Sequence, residues 1–373
     1  MTEIYAASDV RSGSDDPGVP LNDDALSGDL HPRNLAKRVV EITAVIIAVA
    51  VAVSALPGLG EVRQRLGHID AIWIAALLLA EFCSCAGYVL VFRSTFCPQM
   101  SWRLSYDIAM AEQAANTLLP AGGAGGLALG VWALRRTGMA AGHIARRTVA
   151  FFVVTSAANF GTLAVVGVLT FAGVLAGQTS VLLTLVPALA TLLAAALVAA
   201  SPHLLRALDV RGLSHGGEGW QGRARQIVHQ GLLAGADGLD QAKDLLRSRS
   251  LGVLVGSFSY MAFDIAALGV AFAAVGKVPP FSTLVLAYLI GQLGNLIPLP
   301  GGVGGTEGAL IGTFVIYGVN AADATAAVLT YRLFALIVPA LLGVPAFVLL
   351  RQKLMRSAQP DVVCAPLILD SAT

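Results

Sequence analysis

Long apolar runs separated by short polar clusters dominate this chain, and most of the runs are of bilayer-crossing length. After a polar start, Val39–Pro57, Ala71–Phe92, Thr148–Ala172, Val181–Ala200, Leu251–Val275 and Ala322–Leu350 read as membrane-spanning helices. Each approaches or exceeds the roughly 20 apolar residues that a helix needs to cross a hydrocarbon core. The last run is expected to bend at Pro339 or Pro345, where proline removes a helix hydrogen bond. Two further apolar regions, Arg103–Leu134 and Phe281–Ile316, are broken in the middle by Pro and Gly. Their halves are generally too short for a full crossing, so each region is expected to form a helical hairpin with its turn at membrane depth.

The breaks carry the most distinctive residues. In the second region the run is Gln292-Leu-Gly-Asn295-Leu-Ile-Pro-Leu-Pro300-Gly-Gly-Val-Gly-Gly305-Thr-Glu307. In the first it is Gln113-Ala-Ala-Asn116-Thr-Leu-Leu-Pro120-Ala-Gly122-Gly-Ala-Gly-Gly126. Gln113 and Gln292, Asn116 and Asn295, and Gly122 and Gly301 are all separated by 179 residues. One glycine cluster arises easily in an apolar background. Two clusters preceded by Gln and Asn at the same spacing point to an internal duplication.

Composition agrees with a membrane setting. The chain is 56% hydrophobic and only 13% charged, against about a quarter charged in soluble domains. A net charge of +1 gives no reason to expect nucleic acid as a partner. The four cysteines, 83, 85, 97 and 364, form no recognisable disulfide or zinc framework. Residues 1–38 are polar, acidic and rich in Asp, Gly, Ser and Pro, as expected of a disordered tail. They lack the basic start and prompt apolar core of a signal peptide.

Charge sets the sidedness. With the N-terminus in the cytoplasm and both hairpins returning to their starting side, Arg93, Arg103, Arg135, Arg136, Arg146 and Arg147 fall inside. So do the seven basic residues from Arg206 to Arg249 and, near the end, Arg351, Lys353 and Arg356. Arg63, Arg65 and Lys277 fall outside, accompanied by Glu61, Asp70 and Asp323. This is the positive-inside pattern, and it places both termini in the cytoplasm. Two complete crossings per hairpin would give the same sidedness. The first repeat (71–172) then starts from outside and the second (251–350) from inside, which makes the repeat inverted. Many transporters share that plan, with a site near the midplane where broken helices meet. Between the repeats lies a polar cytoplasmic connector, 201–250, and residues 357–373 form a C-terminal tail. In the connector Ile227, Leu232, Ala236, Leu239 and Leu246 recur at near-helical spacing, as in an amphipathic helix that covers the bundle.

Ionisable residues inside spans are functional candidates by default. Glu307, just past the glycine turn, either caps the second half-helix or faces a cavity as a binding or proton-accepting group. Arg332 needs a partner, which Glu307, Asp264 or a lipid phosphate would supply. Its planar fork suits phosphate. Glu81, Glu112 and Asp264 complete an acid-rich buried set, with Asp107 near a hairpin entrance. They are either protonated, hydrogen-bonded acids or parts of a proton path. Asn116 and Asn295, with Gln113 and Gln292, either hold the turns or touch a ligand. The turn glycines Gly122, Gly123, Gly301 and Gly302 either cradle a phosphate with exposed N–H groups or simply permit tight packing. Neither cluster continues into Lys-Ser or Lys-Thr, which excludes a nucleotide P-loop. No nucleophile–base pair or metal cluster argues for an enzyme, and no cofactor is expected.

Asn295 to Glu307, followed by Tyr317-Gly318-Val319 and Leu329-Thr-Tyr-Arg332, resembles the signature of the flippase-like domain family. That family is the transmembrane region of lysylphosphatidylglycerol synthases and of many stand-alone bacterial and archaeal membrane proteins. Asn116 to Leu134, with Arg135-Arg-Thr-Gly138, is similar to it as well, and the likeness runs from about Arg38 to Arg356. Pro300, Gly301, Gly302, Glu307 and Arg332 match its motif positions. The resemblance implies a multi-pass protein of the plasma or inner membrane that moves a phospholipid or polyprenyl-linked lipid between leaflets. Only 17 residues follow Arg356 (of 373), so the aminoacyltransferase domain of the synthases is not expected in this chain. The expected fold is therefore an all-α polytopic membrane protein, with six full spans and two broken hairpins in an inverted repeat over 39–356. Two other readings stand beside lipid translocation. One is a proton-coupled carrier of a soluble solute. The other is a non-catalytic membrane partner of a lipid-modifying or glycosyltransferase enzyme.

Overall fold

The computed structural model describes residues 70–118, 123–212, 235–247, 250–296 and 304–356. The Val39–Pro57 run and both tails lie outside them. Among the described residues the secondary structure is helical, without strands. In chain order the helices are α1 Ala71–Phe96, α2 Trp102–Leu118, α3 Gly123–Arg136, α4 Ala141–Phe171 and α5 Val181–Gly212. They continue with α6 over residues 235–247, α7 Leu251–Val275, α8 Phe281–Gly291, α9 Gly305–Ile316 and α10 Ala321–Arg356. A 3₁₀ turn, Gln292–Leu296, extends α8.

Five of these helices are long and apolar enough to cross a membrane: α1, α4, α5 over Val181–Val198, α7, and α10 over Ala321–Leu354. They are five of the six runs read from the sequence, and the protein is a polytopic membrane protein. Three helices outrun their apolar cores. α4 begins at Ala141 and so carries Arg146 and Arg147, α5 continues into the polar connector as far as Gly212, and α10 reaches Arg356 with Pro339 and Pro345 inside it. Hydrophobicity marks where a helix sits in lipid, whereas helical backbone continues until a breaker stops it. In the connector, α6 buries Ala236, Leu239 and Ala242. Ala242 joins Ala150 and Val154 of α4 and Val253 of α7 in a small cluster, with Leu246 partly buried against it. Ile227 and Leu232 lie outside the described residues. Cys97 is disulfide-bonded, which the cysteine spacing does not foretell, whereas Cys83 and Cys85 are free.

The broken regions become two pairs of short helices, α2–α3 and α8–α9, each packed half against half. Asn116 Oδ1 in α2 accepts the Gly126 N–H of α3 at 3.0 Å. A Cβ added to Gly291 would lie 2.6 Å from a Leu310 methyl carbon, and one added to Gly294 would lie 2.6 Å from Ala309 Cβ. In each pair, residues late in the first half meet residues early in the second, so the halves run antiparallel.

The long helices pack in a regular pattern. α1 lies against α7, the helix that precedes the second pair of short helices as α1 precedes the first. Among helices not adjacent in the chain, α4 also meets α8, α1 and α7, and α10 meets α2, α7 and α1, whereas α4 packs on its neighbour α5 without an equivalent at α10 among the described residues. The α1–α7 seam is built on small residues. A Cβ added to Gly87 would come within 2.5 Å of Tyr260 N, and one added to Gly256 within 2.5 Å of Val91 N. Ser84 Oγ also donates to Tyr260 O at 3.2 Å. As the number rises on α1 it falls on α7, so the two helices run antiparallel. Without water to drive association, membrane helices depend on such close backbone approach. Gly87→Leu and Gly256→Leu are each expected to destabilise the protein by about 1–3 kcal/mol, the usual cost of overpacking. Gly161→Leu should be neutral, because nothing lies within 4 Å of a Cβ there. Thermal unfolding of the three variants in detergent checks this ordering.

Candidate functional site

α9 starts at a backbone position that needs glycine. Gly304 has φ 99°, a left-handed conformation that side chains disfavour. The turn leaves Glu307 three residues on, in the first turn of the helix, where its Oε2 accepts the Gly304 N–H at 2.6 Å. The other oxygen is also used: Glu307 Oε1 accepts from Arg332 Nε of α10 at 2.7 Å. Both side chains are largely buried, 10% and 15% exposed. Glu307 is therefore at once a helix cap and the partner of Arg332. The bond uses Nε and does not occupy the two terminal guanidinium nitrogens.

A second knot lies close by. Asp264 of α7 accepts from two tyrosines, Oδ1 from Tyr331 of α10 at 2.9 Å and Oδ2 from Tyr288 of α8. The two rings meet edge to face, 6.4 Å between centroids. One carboxylate thus ties α7, α8 and α10 together. Arg332 follows Tyr331 in sequence, and its charge reaches Asp264. Glu81 of α1 lies within electrostatic reach of both Asp264 and Arg332. It is only 3% exposed, yet among the described residues its Oε1 has no hydrogen-bond partner.

The first pair of short helices holds a smaller polar group. Glu112 of α2 is buried beneath α3, where a Cβ on Gly130 would lie 3.1 Å from its Oε2. The Tyr88 hydroxyl of α1 faces the Glu112 carboxylate, and the Gln113 side chain reaches Tyr260 of α7. Tyr260 in turn lies within reach of Asp264 and Glu81. Asp107, at the start of α2, pairs with Lys353 of α10 at 2.5 Å.

The sequence candidates therefore separate. Glu307, Arg332, Asp264 and Glu81 gather where α1, α7, α9 and α10 meet. Glu112 sits apart, and Asn116 clasps α2 to α3. Gly123 opens α3, while Asn295 lies in the 3₁₀ turn after α8. Gly122, Gly301 and Gly302 lie outside the described residues. Sequence reasoning overlooked Tyr88, Tyr260, Tyr288 and Tyr331. A signal was available, because a tyrosine hydroxyl deep in an apolar helix needs an acceptor, and acids in neighbouring runs are the natural ones.

No solved structure matches the chain. Residues aligned to a "UPF0104 membrane protein" of Methanothermobacter thermautotrophicus are 40% identical over 91 positions, 24% of this chain and 26% of that protein. The chain thus spans about a quarter of that relative's length. The family described as lysylphosphatidylglycerol synthase TM region matches residues 39–343. With that match covering most of its length, on an all-helical membrane fold, the chain belongs to the lysylphosphatidylglycerol synthase transmembrane-region family.

Proposed function

We propose that this protein moves a lipid between the leaflets of the cell membrane, its headgroup passing the buried charges around Glu307 and Arg332. The observation that carries this reading is the placing of that ion pair. It joins a helix start at a glycine break to a membrane-spanning helix, with two more carboxyl groups at hand. Four ionisable groups within an apolar bundle are expensive, and a structure that needed only stability would do as well with apolar packing.

Helix lengths support a re-entrant arrangement. At 1.5 Å per residue, α8 (11 residues) and α9 (12 residues) extend about 17 and 18 Å, against a hydrocarbon core of about 30 Å. A pair so short turns back within the membrane, and irregular backbone at that depth must be enclosed by protein or line a wet cavity. The antiparallel α1–α7 seam and the contacts of α4 and α10 around it support an inverted repeat, the plan on which transporters build a midplane site. The excess of Arg and Lys on one side of the expected spans supports a cytoplasmic location for both termini. The terminal nitrogens of Arg332 suit a headgroup phosphate, while the acyl or prenyl chains remain in the bilayer.

The test is transbilayer movement of fluorescent phospholipids in proteoliposomes, read by quenching from outside. Wild-type protein should raise the rate well above empty liposomes. Glu307→Gln should lower it at least about tenfold, the equivalent of losing about 1.4 kcal/mol on the path. Movement no faster than in empty liposomes would reject this reading.

A further inference from the structure

Four ionisable side chains meet where α1, α7, α9 and α10 converge, and three of them have their charges answered. Glu307 and Arg332 answer each other at 2.7 Å. Asp264 receives two tyrosine hydroxyls, one on each oxygen. Glu81 is left over. It is 97% buried, on the face of α1 turned to α7 and α10, and its Oε1 receives no donor among the described residues.

The groups around Glu81 offer it no ionic partner of its own. α7 presents Asp264 and Tyr260, and α10 presents Arg332 and Tyr331. Cys85 is the neighbour on α1 itself. α2 contributes Glu112, which is turned to the Tyr88 hydroxyl, and the apolar length of α4 from Thr148 onward contains no titratable residue. One guanidinium thus stands among three carboxyl groups and is bonded to one of them. With Arg332 bonded to Glu307, an ionised Glu81 in this closed bundle would add an unanswered negative charge near Asp264, and desolvated charges without partners are costly. A metal cation is a poor remedy. Hard cations need several oxygen ligands, and among the described residues no cluster of three His, Cys, Asp or Glu could hold one. A proton needs a single oxygen.

We propose that Glu81 is a proton-binding site that couples lipid movement to the transmembrane proton gradient, an inference that rests on the lipid-moving reading above. The closed bundle accepts Glu81 only as the neutral acid. When the bundle opens to water on one side, the carboxylate is solvated and takes a proton from that water on Oε1. The protonated form permits closure, and opening to the other side releases the proton to water there. No bond other than O–H forms or breaks, and the charge carried across is that of the proton. Gradient and lipid are linked because both pass the same cluster.

Two measurements test this together. The first is the lipid movement assay with and without a pH difference of one unit across the proteoliposome. In wild type the gradient should change the rate between about twofold and tenfold, ten being the ceiling for one proton per pH unit. In Glu81→Gln the ratio of the two rates should fall to one. The second is the infrared band of protonated carboxyl groups in purified protein, followed as pH is raised. One titrating band should be missing from Glu81→Gln and shifted in Glu81→Asp, which keeps a carboxyl if the glutamine variant fails to fold. Lipid movement with a ratio of one in wild type would overturn the coupling and leave the lipid-moving reading standing. A response to a sodium gradient at equal pH would overturn the choice of ion. If wild type moves no lipid, the lipid-moving reading falls, and the coupling with it. A carboxyl band unaltered by Glu81→Gln would overturn proton binding at this residue whatever the transport result.

Discussion

Arg332→Ala is expected to destabilise the folded protein by about 3–5 kcal/mol, the usual cost of removing one member of a buried ion pair. Glu307 would keep its cap to Gly304 but lose the guanidinium on Oε1. The largely buried carboxylate would then stand uncompensated. The double variant Glu307→Gln, Arg332→Gln should recover most of that loss, because two neutral amides can hydrogen-bond without an unpaired charge. Lipid movement should not recover with stability. The double variant would fold near wild type and still move lipid at least about tenfold more slowly, about 1.4 kcal/mol on the path. Thermal unfolding in detergent and the proteoliposome assay, run on the same preparations, separate the two effects.

The second large effect is expected at Asp264. Asp264→Ala removes the acceptor for two buried hydroxyls at once, those of Tyr288 and Tyr331. Hydrogen bonds to a charged group contribute about 1.5–3 kcal/mol each. Tyr288→Phe and Tyr331→Phe should each cost about that much, and Asp264→Ala more than either. The three changes should also be strongly non-additive, since adding Tyr331→Phe to Asp264→Ala removes a hydroxyl that has already lost its acceptor. Unfolding measured around this cycle gives the coupling directly. Additive losses would mean that α7, α8 and α10 are not tied through this carboxylate.

Much of the fold could be read along the chain because the membrane simplifies the code. Runs near 20 apolar residues can hardly be anything but spans, and α1, α4, α5, α7 and α10 lie where those runs lie. The broken regions were legible for the same reason, since Pro and Gly interrupt apolar sequence only where something else satisfies the backbone. Glu307 and Arg332 stood out as charges in lipid, and each was the other's named partner among several.

The facing of the helices was not legible. Hydrophobicity nearly all round a helix hides which side meets which neighbour, so nothing in the sequence turned Gln113 toward Tyr260 or Tyr288 toward Asp264. Asn116 is a similar case. Its spacing to Asn295 marked it, but only the folded pair shows that it clasps Gly126 of α3 from α2. Helix ends were also blurred. Arg146 and Arg147 end an apolar run without ending a helix, so α4 begins earlier than the run does.

The most direct test of the central claim is the rate of transbilayer phospholipid movement in proteoliposomes, with wild type beside the Glu307→Gln, Arg332→Gln double variant. A headgroup path past Glu307 and Arg332 predicts movement well above the empty-liposome rate in wild type and at least about tenfold less in the double variant at matched thermal stability. Equal rates in the two proteins would contradict it, reducing the buried pair to a structural tie.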